Sequence, residues 1–282
     1  MKSSTKKFFR VLFARKIVIV ALVVILFFAV CAVASPLLAT HDPNEQDLYN
    51  TYQPPSSEHI LGLDNLGRDV YSRIVYGSRI AFAVGIVAVL ISAIIGSIIG
   101  LCAGYFGSIV DSVLMRIVEA MMAIPPIVLA LALVAIFGRS LGMLALVLGI
   151  SNVPSFARMM RGQVLTVRDL DYVSASRIRG NSNLFTMVKH VLPNCLSPMI
   201  IVMTQSIGGT ILAEAGLSFL GAGVLPPTAS WGAMVNAGFS KLSKAPVFAL
   251  APGIAVILLV LAFNIFGDGL RDALDPRLRS AE

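Results

Sequence analysis

The sequence predicts an all-α integral membrane protein with six transmembrane helices and both termini in the cytoplasm. Three observations predict it. Of 282 residues, 57% are hydrophobic and only 13% charged, against about a quarter charged in an ordinary soluble chain. The polar groups that would cover a soluble fold of this size are therefore missing. Apolar stretches close to the 20 or so residues that cross a bilayer recur six times. The basic residues also cluster in alternate connections, as the orientation rule for membrane proteins requires. An ordinary soluble enzyme and a disordered chain are both excluded.

The elements follow in order. Residues 1–16 form a basic cytoplasmic tail with six Lys/Arg and no acid. Residues 17–34, running on to 38, make the first span. The triplet Ala32-Val33-Ala34 imitates a signal-peptide cleavage site, but the apolar core exceeds the usual ~7–15 residues, so a retained helix is expected. Residues 39–79 form an external loop with six acids against three basic residues. Residues 80–267 form a five-helix core with spans at 80–104, 113–137, 140–157, 191–213 and 245–267. Between spans four and five lies a cytoplasmic segment, 158–190, with six Lys/Arg against two acids. The glycine-rich stretch 215–244, with Pro226-Pro227, has no apolar stripe and is read as an external loop with short helices. Residues 268–282 return to the cytoplasm as a tail. The net charge of +7 thus belongs to the membrane–cytoplasm boundary, and no nucleic-acid surface is expected.

Polar residues inside the spans carry the next expectations. Gly96, Gly100 and Gly104 put small residues on one face of the second span, where another helix can approach closely. Arg116 and Glu119, three apart, can form an ion pair that braces the third span. Glu214 has no basic residue within a turn. Cys31, Cys102 and Cys195 lie in apolar runs and read as small core hydrophobes, and the scattered His41, His59 and His190 suggest no metal site. No catalytic constellation is present, and without a phosphate-binding GxxxxGK[ST] loop the chain is not its own ATPase. Charged residues are nearly absent from span centres, so energy for active transport has to come from another subunit.

Attention therefore falls on 158–190. Asp169 and Asp171 suit a helix start, and Gly180 followed by Asn181-Ser182-Asn183 suits its stop. A second short helix is expected at 184–192, ending at Pro193. The first helix has an apolar side, Tyr172, Val173 and Ile178. It can dock in a groove on a cytoplasmic partner or lie on the bilayer surface, and the residues alone leave both open.

Five sequence blocks occur in order. They are Leu61-Gly-Leu-Asp-Asn-Leu-Gly-Arg-Asp-Val-Tyr-Ser-Arg73, Asp111-Ser-Val-Leu-Met-Arg116 with Ile124-Pro125, and Tyr172-Val173 through Gly180 to Leu192-Pro193. Then come Glu214-Ala-Gly-Leu-Ser-Phe-Leu-Gly221 with Ser230-Trp-Gly232, and Phe263-Asn-Ile-Phe-Gly-Asp-Gly269 continuing to Arg277. On these blocks the chain resembles the permeases of binding-protein-dependent ABC importers in the dipeptide/oligopeptide/nickel branch, and looks like the second, C-type, permease. The resemblance implies a type I importer fold and a docking role for the cytoplasmic helix. Tyr172, Val173, Ser174, Ala175, Ser176, Arg177 and Gly180 would form the coupling element. Ser174 stands where the family usually carries Glu, and Ser176 where Ala is usual. The external family motif comprises Asp64, Gly67, Arg68, Asp69, Glu214 and Trp231. The implied partners are a homologous permease, two ATP-binding subunits that hold the ATP and Mg, an external solute-binding protein and the lipid of a bacterial or archaeal cytoplasmic membrane. The implied cargo is di- or oligopeptide. Nickel or another metal chelate is the alternative, and a stand-alone carrier or channel is the reading from another class.

Overall fold

A computed structural model describes residues 8–274. Among the described residues, nine main helices carry the fold: α1 (Lys16–Val33), α2 (Val70–Phe106), α3 (Ser108–Met122), α4 (Pro126–Phe137), α5 (Leu141–Val167), α6 (Asp171–Ile178), α7 (Leu192–Phe219), α8 (Trp231–Phe239) and α9 (Pro246–Leu274). Among the described residues, five helices are long and apolar enough to cross a membrane, the fourth of them running through Asn183–Phe219. The bent pair α3–α4 makes a sixth span if counted as one.

Several expected boundaries move. Hydropathy ends a span where charges begin, but a helix ends only where its backbone is capped. The Asp69 carboxylate accepts the Ser72 N–H at 2.7 Å, so α2 starts at Val70 and residues 70–79 are helix, not loop. Likewise the helix α5 runs past the expected end of the span at 157 to Val167, so the first ten residues of the segment 158–190 are helical. The third span is not one rod. Pro125 drives the residue before it out of the helical region, and α3 and α4 meet at 86°. The helix expected at 184–192 does not stop at Pro193. Asn183–Thr186 passes through a π turn, Met187–Val191, directly into α7. Pro193 has no N–H for the carbonyl of Lys189, and a widened turn before it relieves the clash. Toward the loop 215–244, α7 continues to Phe219, and α9 reaches Leu274 inside the expected tail. Residues 1–7 of the basic tail and 275–282 lie outside the described residues.

Packing centres on α2. It lies along α5, and α7 packs on both α2 and α9, while α1 crosses α2 and α9. One core joins Val89 of α2, Phe156 and Met160 of α5, Val173 of α6 and Val191 and Cys195 beyond it. A second joins Phe28, Ile211, Trp231, Leu259 and Phe263. Cys31 and Cys195 are buried and unbridged, filling core space. Outward faces remain apolar, as on α1 where Val20, Val23 and Phe27 are each about 60% exposed. Such a surface is stable in lipid and not in water.

Candidate functional site

The three glycines of α2 form the contact with α5. A Cβ on Gly96 would come within 2.6 Å of Phe156 Cβ and 2.8 Å of Val153 O. One on Gly104 would come within 2.8 Å of Val164 Cβ, and one on Gly100 would collide with Ala157 O. The helices therefore touch backbone to backbone. Ser92 reinforces the contact by donating to Gly149 O across the interface at 2.8 Å.

At the C-terminal end of α2 sits the helix α6. Its buried side is Val173 and Ser176, while Tyr172 is 42% and Ile178 86% exposed. The apolar side expected from sequence is therefore split. Val173 points into the α2–α5 core, and Ile178 and Tyr172 face outward, joined by the exposed Leu170, Leu184 and Phe185. Ser174 is half-buried and Ala175 exposed.

The helix is held firmly. Arg177 lies 4.7 Å from the Tyr105 ring centroid and donates from Nε to Tyr105 Oη at 3.3 Å. Tyr105 Oη donates in turn to Asn183 Oδ1 at 3.1 Å. Arg168 donates to Gly104 O at 2.7 Å, placing a cation at the negative end of α2. The helix stops at Gly180, whose φ is +78°. Gly180 N–H donates to Arg177 O at 2.9 Å and Asn181 N–H to Ser176 O at 3.3 Å, the Schellman pattern that glycine adopts without Cβ strain.

At the opposite end of α2, the external motif is a buried clasp. Asp64 is 0% exposed. Its carboxylate accepts the Leu66 N–H at 2.8 Å, the Arg68 N–H at 3.0 Å and Arg68 Nε at 2.7 Å. Gly67, at φ +71°, lies against Asp47 O so closely that no Cβ fits. Arg73 faces Asp64 at 3.7 Å and donates to Pro43 O at 2.7 Å. Trp231 donates from Nε1 to Ile74 O at 2.9 Å and packs edge-on against Phe28. Glu214, 2% exposed, accepts from Ser218 at 2.7 Å and Ser230 at 3.1 Å. Two of the loop's six acids, Asp64 and Asp69, thus face inward. Asp42, Glu45 and Glu58 are exposed, and the Asn50 side chain and Tyr49 N–H hold the Asp47 carboxyl below the usual range. With 37 residues, α2 separates the clasp from α6 by about 55 Å.

Residues 96–280 match the family described as "Binding-protein-dependent transport system inner membrane component", and residues 3–55 match the N-terminal transmembrane domain of oligopeptide transport permease C. The chain belongs to the first of these families. It is 41% identical over 278 residues to the dipeptide transport system permease protein DppC of Alkalihalophilus pseudofirmus, covering 99% of this chain and 91% of that one. It is 40% identical over 281 residues to the glutathione transport system permease protein GsiD of Pectobacterium atrosepticum, covering 99% and 93%. In fold it is similar to a chain of the inward-facing MetNI methionine ABC transporter, with a TM-score of 0.59 and 20% identity over 72% of this chain and 97% of that one. The family is one of multi-pass membrane transport permeases, not of enzymes.

Within this permease, two departures acquire explanations. Arg116 and Glu119 do pair, at 3.4 Å, but with side chains 86% and 61% exposed they brace no other helix among the described residues. The brace is Arg161 of α5, which grips Asp111 of α3 with two hydrogen bonds of 2.6 Å each. Sequence reasoning missed it because the partners are fifty positions apart, and only their presence as charges in apolar helices hinted at it.

Ser176, where the resemblance leads one to expect Ala, lies 3.0 Å from Thr186 Oγ1 and accepts from Asn181 Nδ2 at 3.0 Å. It ties α6 to the turn that leads into α7. Ser176→Ala should cost about 1 kcal/mol of local stability. Hydrogen–deuterium exchange over residues 171–186 reads this as faster exchange, and unchanged protection would show that the bonds contribute nothing.

Proposed function

We propose that this chain is the C-type permease of a peptide importer, and that α6 is the element through which ATP-binding subunits drive it. The observation that carries the coupling role is the exposed apolar surface around Ile178, mounted on a helix whose other side is part of the α2–α5 core. A surface that cannot swivel on its mount transmits displacement to the spans as a rigid body. Two such subunits would bind and hydrolyse ATP with Mg.

The homologous permease would cover the α3–α4 elbow, where Ile117, Met122, Ile124, Ile127 and Val128 are all at least 40% exposed. Arg116 and Glu119 lie on the same exposed stretch. The solute-binding protein would dock at the opposite end of α2, on the acidic loop with its exposed Leu48 and Tyr49. That assignment puts both termini and α6 in the cytoplasm of a bacterial cell, in agreement with the Lys/Arg bias. The names of the relatives, dipeptide and glutathione permeases, favour short peptides over nickel as cargo.

Reconstitution of the chain with its partners in liposomes tests the proposal. Peptide-loaded binding protein should stimulate ATP hydrolysis and peptide uptake, and a chain that transports without partners would overturn the reading. Ile178→Asp, at a site exposed enough to leave folding intact, should lower stimulated hydrolysis and uptake at least tenfold while insertion is unchanged. Retained coupling in that variant would remove α6 from the drive interface.

A further inference from the structure

Two histidines and a glutamate converge beside the clasp. A ring nitrogen from each of His41 and His59 and a carboxylate oxygen of Glu58 all lie within 4.8 Å of one another, and the two imidazole rings stand 4.5 Å apart. These residues come from the two ends of the loop's long excursion, and both ends are fastened to the start of α2. His41 N–H donates to Ser72 Oγ at 3.1 Å, and the His59 ring meets Asp69, the residue that caps α2. The rings are oriented as well. His59 Nδ1 is 3.0 Å from Asp69 Oδ1, whose side chain is only 1% exposed and is fixed by its other oxygen on the Ser72 N–H. His41 Nδ1 is 3.0 Å from Thr40 Oγ1.

The chemistry of this arrangement is specific. A buried carboxylate accepting from His59 Nδ1–H sets the tautomer, so the Nε2 lone pair is free to face an ion. That is the support a metal-ligating histidine characteristically has. Neither ring is deeply buried, with side-chain exposures of 29% for His41 and 19% for His59, so an ion can reach them. The groove they line has a volume of about 550 Å³ and also carries Asp42, Glu45 and Asp47, which concentrate cations near it.

We propose that His41, Glu58 and His59 form a binding site for a borderline transition-metal dication of the Zn²⁺ class. Two imidazoles and one carboxylate are a zinc donor set with a fourth position left for water. The nitrogen donors select against Mg²⁺ and Ca²⁺, which take oxygen ligands. Small rotations of the three side chains bring the donors onto one ion. The bound ion staples the two ends of the loop to each other and to the N-terminus of α2, at the end of that helix remote from α6. The ion is a resident of the loop, not the cargo, and its binding does not depend on coupling through α6.

The test uses the full chain, untagged, in detergent, stripped with chelator and then titrated with Zn²⁺ against a chromophoric chelator. One Zn²⁺ should bind per chain, and Co²⁺ in its place should show the intense visible bands of a low-symmetry nitrogen–oxygen site. His41→Gln combined with His59→Gln should abolish this binding. Glu58→Gln, at an exposed position that folding does not need, should weaken it roughly tenfold or more, and Asp69→Asn, which retains a helix cap, should also weaken it by about tenfold. Size-exclusion chromatography confirms that each variant is folded. No Zn²⁺ bound by the wild-type chain, or equal binding by wild type and a folded Glu58→Gln variant, would overturn the proposal.

Discussion

Asp64→Ala is expected to cost about 3–5 kcal/mol, the penalty for stranding buried cations by removing their shared anion. Two arginines depend on that carboxylate. Arg68 is 8% and Arg73 3% exposed, and without Asp64 neither has another carboxylate at hand among the described ion pairs. The turn Leu66–Arg68 also loses the acceptor of two backbone N–H groups. Thermal unfolding in detergent should drop by about 10 °C, since each kcal/mol shifts a domain of this size by roughly 2–4 °C. Glu45→Ala, at an exposed acid of the same loop, should change stability by less than about 0.5 kcal/mol. Equal effects from the two substitutions would mean that the clasp does not hold the loop.

Gly100→Leu should be more damaging to transport than any surface change. Its side chain would have to occupy space already filled by Ala157 O, with Arg161 N and Met160 Cβ only 2.8 Å from the first added carbon. Backbone atoms cannot step aside, so α2 and α5 must separate, and overpacking of this kind costs about 3 kcal/mol or more. Separation would also pull Arg161 from Asp111 and Val173 from its core. Uptake should fall to background, and the yield of monodisperse protein should drop with it. Gly162→Leu is the matched control. It lies on the facing helix α5, exposed, with nothing within 4 Å of a Cβ, and should leave uptake near normal. A Gly100→Leu variant with wild-type uptake would show that the close approach is dispensable.

Much of the architecture was legible in the residues because the bilayer imposes its requirement locally. Each span has to supply its own run of apolar side chains, so the apolar runs announced the spans, six expected against five single helices and one bent pair among the described residues. Local rules likewise located α6, since Gly180 has to end a helix wherever its neighbours start one. The glycine ladder announced a close contact by its spacing, though not which helix would fill it.

The external motif was legible as a pattern but not as a clasp. A charge count treats Asp64, Asp69 and Glu45 alike, and only the fold shows that the first two are internal and paired while the third is in solvent. The histidines appeared scattered for the same reason, because His41 and His59 meet only after the loop closes on Ser72.

Sequence by itself determined that the chain lives in a membrane, where its long apolar runs lie and where helix α6 stops. Those properties arise from side-chain transfer energies and from φ/ψ preferences, which act within a few residues. Tertiary structure alone decided that α2 pairs with α5, that Arg161 rather than Arg116 is the internal brace, that Val173 faces inward while Ile178 stays exposed, and that the loop folds into a clasp. These depend on distances between residues tens of positions apart, and lipid, being equally apolar everywhere, leaves the choice of partner to packing shape and to the few charges that have to find one another.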